Sequence, residues 1–316
     1  MTDPSINLEE MRSAQLRTSE FLHKTPILTS EKIDEIVGAN VFFKCEHLQK
    51  TGSFKSRGAL NSAILAKKQY SAKGVIAHSS GNHGQALAWA AQKIGLECTI
   101  VVPKNAPDAK TAAMYEYKAN VVFCEPTATA REETCAKLAE DMGYYNVEPF
   151  NCVSMINGHA SLGFEIIDQV GDKIDSVFLS VGGGGMASSI AFCIGNLRPD
   201  INIYLIEPEQ KKLGDLLEND ITCSVDTLST CADGVRVARV GSLCKPILRQ
   251  FCNHKVISVT EDEIREAVKL IWTRLKQRVE PTAALAFAGL AFHRPSDVKN
   301  AVVILCGGNV DINFIP

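Results

Sequence analysis

The chain has 316 residues, enough for one large domain or two of medium size with a substantial core. Its composition is 46% hydrophobic and 22% charged, as in ordinary globular proteins, and its formal net charge is −3. This balance gives no electrostatic reason to expect nucleic acid or an anionic membrane as a partner. We therefore expect the partners to be small molecules or further copies of the chain.

The eleven cysteines are scattered, with no C-x-x-C pair and no zinc-like spacing to histidines. Their odd number and irregular placement indicate reduced thiols in a cytoplasmic protein rather than a disulfide framework. The opening sequence MTDPSINLEEMRSAQ does not resemble a secretory signal. No run approaches the ~18 apolar residues of a membrane span. We expect a soluble protein.

Short apolar runs rich in β-branched residues predict buried strands along the chain. They are VFFKCE (41–46), GVIAH (74–78), CTIVVP (98–103), NVVFCE (120–125), SVFLSV (176–181), INIYLIEP (201–208), KVISV (255–259) and AVVILC (301–306). Most are continuous rather than alternating, which is typical of parallel sheets with both faces covered.

Amphipathic stretches between these runs predict helices at 84–94, 127–142, 185–197 and 260–277. The last begins with Thr260 and, three residues on, Glu263, which together form a capping-box pattern. The apolar residues that mark its buried face are Ile264, Val268, Ile271 and Leu275. Alternating strands and helices predict an α/β fold with mostly parallel sheets, where ligands bind beyond the carboxyl ends of the strands.

Three polar or glycine-rich turns follow predicted strands: SSGNHG after 74–78, GGGG after 176–181, and GGN after 301–306. The glycine run, Gly182 to Gly185, precedes a helix, so its N–H groups and the helix dipole favour a bound phosphate. The alternative is a flexible turn or close packing of strand and helix. The run is neither a P-loop nor a G-x-G-x-x-G dinucleotide fingerprint.

Lys55 also has two possible interpretations, because it lies between a glycine-serine turn and a predicted helix in QKTGSFKSRGAL. It is either a solvated residue at a helix start or an amine aimed at a ligand. The polar residues of SSGNHG are either helix caps or ligand contacts, and Cys306 is either a core thiol or part of a site. A phosphate loop combined with a lysine on a turn indicates pyridoxal phosphate.

The motifs KTGSFKSRGA, HSSGNHGQA, VGGGGM, EPTA and GGNVD resemble the fold-type II pyridoxal-phosphate enzymes of the serine racemase and threonine/serine dehydratase family. The resemblance extends from about Thr25 to Asp311 and is greatest to the eukaryotic racemases of that family. It implies a tryptophan synthase β-like α/β fold with two open, mostly parallel, twisted sheets flanked by helices. It also implies a large cofactor-binding domain, 1–67 and 152–316, and a small mobile domain, 68–151.

The resemblance implies that Lys55 forms the Schiff base with the cofactor, beside Phe54, and that Asn82 contacts the phenolic oxygen of the ring. It also implies that the cofactor phosphate is bound by Gly182, Gly183, Gly184, Gly185 and Met186. Cys306 stands where the family has a serine or cysteine against the pyridine nitrogen. As a neutral thiol, it would leave that nitrogen largely unprotonated.

The activity that the resemblance implies is interconversion of L- and D-serine, with a side β-elimination to pyruvate and ammonia. Lys55 would remove the Cα proton and Ser80 would return one from the opposite face. Many bacterial dehydratases have SAGNH in place of SSGNH, so Ser80 favours a racemase. The alternatives are an L-threonine/L-serine dehydratase and a racemase of another amino acid such as aspartate. The implied substrate-binding residues are Ser79, Ser80, His83 and Arg131.

Other positions depart from the family pattern. NGHAS (157–161) stands where relatives have A-G-Q-G-T, and PFNCVSM (149–155) is also unusual, which leaves the preferred amino acid open. For the divalent cation of eukaryotic relatives, Glu207 matches a ligand, but Lys211 replaces a small residue and Leu213 an aspartate, so only a realigned Asp215 could complete the site.

The resemblance further implies a homodimer that binds ATP as an effector, besides Mg²⁺. The residues that match the ATP site are Lys50, Thr51, Gln85, Tyr117, Lys276 and Asn309. Two other function classes compete with the enzyme. The intact set of Lys55, Asn82 and the glycine loop argues against a non-catalytic phosphate- or nucleotide-binding protein. The missing dinucleotide fingerprint argues against a nicotinamide oxidoreductase.

Overall fold

The computed structural model of the chain describes residues 2–106, 108–225, 227–252 and 255–316. Its strands are β1 (Ile27–Leu28), β2 (Asn40–Lys44), β3 (Gly74–His78), β4 (Glu97–Pro103), β5 (Asn120–Cys124), β6 (Tyr145–Asn146), β7 (Ser176–Ser180), β8 (Asn202–Pro208), β9 (Val256–Val259) and β10 (Asn300–Ile304). All eight predicted strands are present, with ends within two residues of the predicted ones. The short strands β1 and β6 were not predicted.

The α-helices are α1 (Leu8–Thr18), α2 (Glu31–Val37), α3 (Lys55–Gln69), α4 (Asn82–Ile94), α5 (Asp108–Glu116), α6 (Ala128–Met142), α7 (Val153–His159), α8 (Ser161–Val170), α9 (Gly185–Leu197), α10 (Leu213–Asn219), α11 (Cys244–Phe251), α12 (Glu261–Leu270) and α13 (Pro281–His293). A π-helical turn, Ile271–Leu275, continues α12. Short 3₁₀ turns occur at Glu46–Leu48, Lys50–Gly52, Gly171–Lys173, Glu209–Lys211 and Asp233–Val235.

The predicted capping box at the start of α12 is present. The Thr260 hydroxyl accepts a hydrogen bond from the Glu263 N–H at 3.3 Å, and the Thr260 N–H donates to the Glu263 carboxylate at 2.8 Å. The four residues predicted for the inner face of this helix are all buried. The capping-box pattern therefore correctly predicted the start of the helix, and the helical period correctly predicted the face that packs on the core.

The larger sheet has the strand order β1-β2-β10-β7-β8-β9. Only the pairing of β1 with β2 is antiparallel; the other neighbours in this sheet run parallel. Val302 on β10 lies opposite Phe42 on one side and Val177 on the other. Helices cover the sheet, and most of its strand residues are buried, as the continuous apolar runs predict.

The smaller sheet has the order β5-β4-β3-β6 and is parallel throughout. It has its own apolar core, formed largely with α3 and α4, separate from that of the larger sheet. Its strands all fall inside the segment 68–151, although the division of the chain into domains at those boundaries remains a prediction. In the described residues no helix is both long and apolar enough to cross a membrane.

Three turns that carry predicted site residues lie at the carboxyl ends of strands, two in the larger sheet and one in the smaller. The glycine run follows β7, and Cys306 follows β10, which is the neighbour of β7 in the sheet. The turn SSGNHG follows β3 in the smaller sheet. Since ligands of α/β proteins bind beyond such strand ends, these turns define where the functional site should lie.

Candidate active site

Lys55 is the first residue of α3 and follows a tight turn in which Gly52 has a φ of 71°. The carboxyl-terminal turn of the chain holds this segment from the other side. The Phe54 N–H donates to the Cys306 carbonyl at 3.0 Å, and the Gly308 N–H donates to the Gly52 carbonyl at 2.9 Å. Lys55 is thereby fixed beside the end of β10.

The Lys55 amine is half-buried and points at polar and aromatic neighbours. Its Nζ donates a hydrogen bond to the main-chain carbonyl of Pro149 and lies 5.2 Å from the centroid of the Phe54 ring. Burial lowers the pKa of Lys55 to about 8. A fraction of the amine is therefore unprotonated near neutral pH and can act as a nucleophile or a base. Lys55 is not the solvated helix-start residue of the alternative interpretation.

Two thiols, those of Cys244 and Cys306, lie close enough to Lys55 to affect its charge. Burial raises the pKa of Cys244 to about 11 and that of Cys306 well above its usual value. Both thiols are consequently neutral at neutral pH, so neither offsets the effect of burial on the Lys55 amine there. Cys306 presents an uncharged sulfur at the end of β10.

The glycine loop, residues 182–185, joins β7 to α9. Gly184 has a φ of 94°, which side-chain-bearing residues rarely adopt, and it immediately precedes the helix. No side chain caps the first turn of α9. The N–H groups of that turn, with the positive end of the helix dipole, form a site of the kind that binds phosphate.

Neighbouring groups leave no room for side chains in the glycine loop. A Cβ atom on Gly183 would overlap the ring of Phe150, and one on Gly182 would lie 2.8 Å from the carbonyl oxygen of Gly234. The loop is thus a cradle of bare main chain whose shape requires glycine. Phe150 belongs to the unusual PFNCVSM segment, but nothing in the sequence showed that it packs against the glycines.

Asn82, at the start of α4, connects the smaller sheet to the larger one. Its side-chain nitrogen donates to the Glu280 carboxylate at 2.9 Å, and its oxygen accepts from the Asn309 side chain at 2.8 Å. Asn309 also donates to the Thr51 carbonyl at 2.8 Å. Glu280 is buried and its N–H donates to the Gly307 carbonyl at 3.2 Å. Glu280 lies in the EPTA motif, but the motif did not predict its contact with Asn82.

The serines of the SSGNHG turn differ in their hydrogen bonding. The Ser79 N–H donates to the Val101 carbonyl at 3.0 Å, and the Ser79 hydroxyl accepts from the Gly81 N–H at 3.3 Å. Ser80 is half-buried, and its hydroxyl makes no hydrogen bond within the described residues. Ser79 therefore stabilises the turn, whereas the Ser80 hydroxyl is free to serve a ligand.

His83 is buried, and its Nε2 donates to the Val147 carbonyl at 2.8 Å. Burial, reinforced by the charge of Lys55, lowers the pKa of His83 to about 3. The ring is therefore neutral at physiological pH, with Nε2 protonated and Nδ1 left as an acceptor. It can position a substrate group but does not carry a positive charge.

His159, in the NGHAS segment, is completely buried at the carboxyl end of α7. Its ring meets the Phe54 ring edge-on, with centroids 4.8 Å apart, and neither ring nitrogen has a hydrogen-bond partner within the described residues. Burial, followed by the charge of Lys55, holds the pKa of His159 well below its usual value. The NGHAS segment departs from the family pattern, but its sequence alone did not predict that His159 adjoins the site.

Below the site, buried ion pairs fix the first turns of α3. The Arg57 guanidinium pairs with Glu46 at 2.7 Å and with Glu165 at 2.6 Å. Glu165 also pairs with Lys44 at 2.5 Å, and the Thr25 hydroxyl donates to Glu46 at 2.5 Å. Arg57 is therefore a structural residue that holds the helix bearing the amine.

Two further predicted site residues lie nearby. Met186 is buried in the first turn of α9, next to the glycine loop. Arg131 is on α6, where its Nε donates to the Thr127 carbonyl at 3.3 Å. Its positive charge lowers the pKa of His78, the last residue of β3, after the larger effect of burial. Arg131 thus lies near the strand end that carries SSGNHG.

Residues 18–307 match a family model described as "Pyridoxal-phosphate dependent enzyme". The chain belongs to this family. A serine racemase of Dictyostelium discoideum is 38% identical over 98% of this chain and 97% of its own length. A serine racemase of Homo sapiens is 39% identical over 97% of this chain and 92% of its own length. The resemblance inferred from the motifs is confirmed.

Solved structures of this pyridoxal-phosphate family have the same fold. A pyridoxal 5'-phosphate-dependent aspartate racemase matches with a TM-score of 0.95 and 38% identity, covering 100% of this chain and 99% of its own. A threonine deaminase from T.th. matches with a TM-score of 0.91 and 37% identity, covering 98% of this chain and 100% of its own. The predicted fold-type II architecture, with two mostly parallel sheets, is confirmed.

The residues present fit the cofactor of the pyridoxal-phosphate family. The bare main-chain cradle at the start of α9 can bind a phosphate. The half-buried Lys55 amine, with its lowered pKa, can react with the aldehyde of the cofactor. The neutral Cys306 thiol and the Asn82 amide are uncharged polar groups, and the Asn82 side-chain nitrogen would lie 3.2 Å from a Cβ on Gly307, the residue after Cys306. These groups come from both sheets, at the strand ends where the sequence predicted a site.

The residues around Glu207, at the end of β8, do not fit a divalent cation. One carboxylate oxygen accepts from the Leu213 N–H at 2.5 Å and the other from the Ser258 hydroxyl at 2.9 Å. Lys211 is buried beside it, and Asp215 is exposed on α10. No group of three acidic, histidine or cysteine ligands occurs in the described parts of the chain. A divalent ion needs several oxygen ligands and no adjacent ammonium.

The predicted effector residues are distributed over several turns. They are Lys50 and Thr51 before α3, Gln85 in α4, Tyr117 after α5, Lys276 after the π-helical turn and Asn309 near the carboxyl end. Within the described residues, a hydrogen bond joins only Thr51 and Asn309 among them. The nucleotide role of these residues remains a prediction.

Proposed function

We propose that this chain is a pyridoxal-phosphate-dependent racemase that interconverts L- and D-serine, with a side β-elimination of serine to pyruvate and ammonia. The observation that carries the proposal is the half-buried Lys55 amine, with a pKa of about 8, close to the glycine cradle. Similarity to serine racemases over nearly the whole chain supports the choice of substrate.

In this proposal the cofactor supplies the electron sink that makes the Cα–H of a bound amino acid acidic. The residues proposed to hold it are Phe54, Lys55, Asn82, Gly182, Gly183, Gly184, Gly185, Met186 and Cys306. Lys55 would bind the aldehyde and the glycine loop the phosphate. The neutral Cys306 thiol supports contact with an unprotonated pyridine nitrogen.

Two side chains would move the proton. Lys55, which is partly unprotonated near neutral pH, takes the Cα proton from one face. Ser80 returns a proton to the other face, and its half-buried hydroxyl without a hydrogen-bond partner in the described chain supports this role. Loss of the substrate β-hydroxyl before the proton returns leads, after hydrolysis, to pyruvate and ammonia instead. Racemisation and elimination therefore share the same first step, removal of the Cα proton.

The substrate would be positioned by the SSGNHG turn and by Arg131. A guanidinium suits the substrate carboxylate, and Arg131 lies near the end of β3. The neutral His83 ring and the Ser79 hydroxyl add hydrogen-bonding groups without adding charge. These assignments would orient the Cα–H between the two proton-moving residues.

A second candidate is an L-threonine/L-serine dehydratase, and a third is a racemase of aspartate. The threonine deaminase and aspartate racemase structures that this chain resembles support them. The unusual segments 149–155 and 157–161 supply Phe150 and His159, which lie against the glycine loop and Phe54. Because these segments differ from the family pattern, each amino acid has to be tested directly.

The test is to give the purified, cofactor-loaded protein L-serine, L-threonine and L-aspartate separately, and to measure D-amino acids by chiral chromatography alongside 2-oxo acids. We expect D-serine together with pyruvate. Pyruvate from L-serine without D-serine would support the dehydratase, and faster formation of D-aspartate would support the aspartate racemase. A protein with neither turnover nor cofactor absorbance would reject all three.

We further propose that the enzyme is a cytoplasmic homodimer that binds ATP as an effector. The free state of all eleven cysteines supports a reducing compartment. The pairing of Thr51 with Asn309 brings together two of the residues that match the effector site. Light scattering in solution tests the dimer, and the change in turnover when ATP is added tests the effector.

A further inference from the structure

Lys211 is a fully buried lysine near the end of β8, with 1% of its surface exposed. Its Nζ donates to the Val237 carbonyl at 2.5 Å. Glu207 is also buried. Burial raises the pKa of Glu207 and lowers that of Lys211 to about 8, and the opposite charge of each residue partly offsets the effect of burial on the other. An ammonium shut into the interior requires such compensation, because an unpaired buried charge is strongly unfavourable.

The acceptor of Lys211 belongs to a segment that packs on the proposed cofactor site. This segment, called here the 227–241 loop, touches the glycine loop at two points. The Gly241 N–H donates to the Gly183 carbonyl at 2.9 Å. A Cβ on Gly182 would lie 2.8 Å from the Gly234 carbonyl oxygen. A contact that fixes Val237 therefore stabilises the wall of the phosphate cradle.

The carboxylate of Glu207 is directed inward by groups of the chain itself. Its oxygens accept from the Leu213 N–H at 2.5 Å and from the Ser258 hydroxyl at 2.9 Å. The Leu213 side chain is fully buried and offers no ligand. The region thus holds one carboxylate and one ammonium, whereas the family resemblance implies a glutamate and an aspartate that hold a metal ion.

We propose that Lys211 is a tethered cation that replaces a divalent metal ion, so that the 227–241 loop and the glycine loop behind it are held without metal. The inference rests on the proposed cofactor site but not on the choice of amino acid. Because the ammonium is covalently attached to the chain, neither a chelator nor dilution can remove it, unlike a bound metal ion. The cofactor affinity of this enzyme is therefore independent of Mg²⁺ and Ca²⁺.

The first test uses the wild-type holoenzyme. Thermal unfolding and cofactor affinity, measured by cofactor absorbance and fluorescence, are compared after treatment with EDTA and after addition of Mg²⁺ or Ca²⁺. We expect no change in the melting temperature or the dissociation constant of the cofactor. A fall of either stability or affinity in EDTA that is reversed by the divalent ion would overturn the proposal.

The second test uses Lys211→Met, which keeps most of the length of the side chain but removes its charge. Loss of a charge-assisted hydrogen bond should raise the cofactor dissociation constant by on the order of three- to tenfold, without rescue by divalent ions. Lys212→Met is the matched control, since Lys212 is exposed and next in sequence. Equal cofactor affinities for the two variants would contradict the proposal.

The third test exchanges the tethered cation for a metal site with the double variant Lys211→Ala, Leu213→Asp. This variant should gain a melting temperature that rises with Mg²⁺ or Ca²⁺, a response absent from wild type, and its absence in a folded variant would count against the proposal. If the double variant does not fold, the chelator comparison and Lys211→Met still decide. Failure of the proposed function is distinguishable, because a protein that binds no cofactor lacks its absorbance in every arm.

Discussion

The ring of His159 packs edge-on against that of Phe54, the residue before Lys55, with centroids 4.8 Å apart and planes at 61°. Where this chain has His159, the family resemblance leads us to expect glutamine. The variant His159→Gln should lose about 0.5–1.5 kcal/mol of aromatic contact and position Lys55 less precisely. We expect kcat to fall by up to about tenfold. Steady-state kinetics and chemical denaturation measure both effects, and unchanged kcat and stability would show that the contact is unimportant.

Lys55→Ala should abolish both racemisation and elimination, because the amine is proposed to bind the cofactor and to remove the Cα proton. Borohydride reduction of the wild-type holoenzyme, followed by digestion and mass spectrometry, should label the peptide containing Lys55. Lys211→Met should still be labelled, since Lys211 lies outside the glycine cradle. Turnover in Lys55→Ala, or a label on another lysine, would be incompatible with the assignment.

Ser80→Ala should stop racemisation while leaving much of the elimination, because only the return of a proton to the second face requires the hydroxyl. Ser79→Ala is the matched control: it removes a hydroxyl that accepts from the Gly81 N–H at 3.3 Å within the turn. We expect that control to affect both products to the same extent. Chiral chromatography and a pyruvate assay on the same samples give the ratio, and an unchanged ratio in Ser80→Ala would reject the two-residue scheme.

Gly184→Ala should destabilise the protein by about 1–3 kcal/mol and weaken cofactor binding, since Gly184 has a φ of 94° that alanine tolerates poorly. The added Cβ would also lie 2.9 Å from the Cβ of Cys244. Gly214→Ala is the control, because nothing lies within 4 Å of a Cβ at Gly214. Denaturation and cofactor titration should separate the two variants; equal behaviour would mean that the loop relaxes freely.

The capture of cofactor by the apoprotein should depend on pH through the Lys55 amine. Only the unprotonated amine reacts with an aldehyde, and burial lowers the pKa of Lys55 from 10.5 to about 8. The rate of capture should therefore rise as pH increases through about 8 and then level off. Stopped-flow absorbance after mixing apoprotein with cofactor follows this rate. A rate that keeps rising towards pH 10.5 would mean that the amine behaves as in solution.

The sequence predicted the strands well because parallel strands buried on both faces appear as continuous apolar runs. The exceptions, Ile27–Leu28 and Tyr145–Asn146, are each two residues long, which is too short to show a pattern of apolar residues. Their pairing depends on strands elsewhere in the chain, since Tyr145 lies opposite Val75. Such edge strands are set by tertiary contacts rather than by local pattern.

The site was predictable where turns follow strands and less so where distant segments meet. The glycine loop and Asn82 follow strand ends, so the predicted strands were enough to place them in the site. Glu280 and Phe150 lie far from those turns in sequence and reach them only through folding. His159 was visible as a departure from the family pattern, but its contact with Phe54 could not be read from spacing.

The buried charges of Lys44, Glu46, Arg57 and Glu165 balance only as a complete set. Three of them emerge early in synthesis, and the fourth follows more than a hundred residues later. Without Glu165, two cations would face a single anion, and a missing partner in a buried pair costs about 3–5 kcal/mol. Closing this interior before residue 165 has been synthesised would leave a buried cation without its partner, so we expect the helix that bears Lys55 to reach its final position only afterwards.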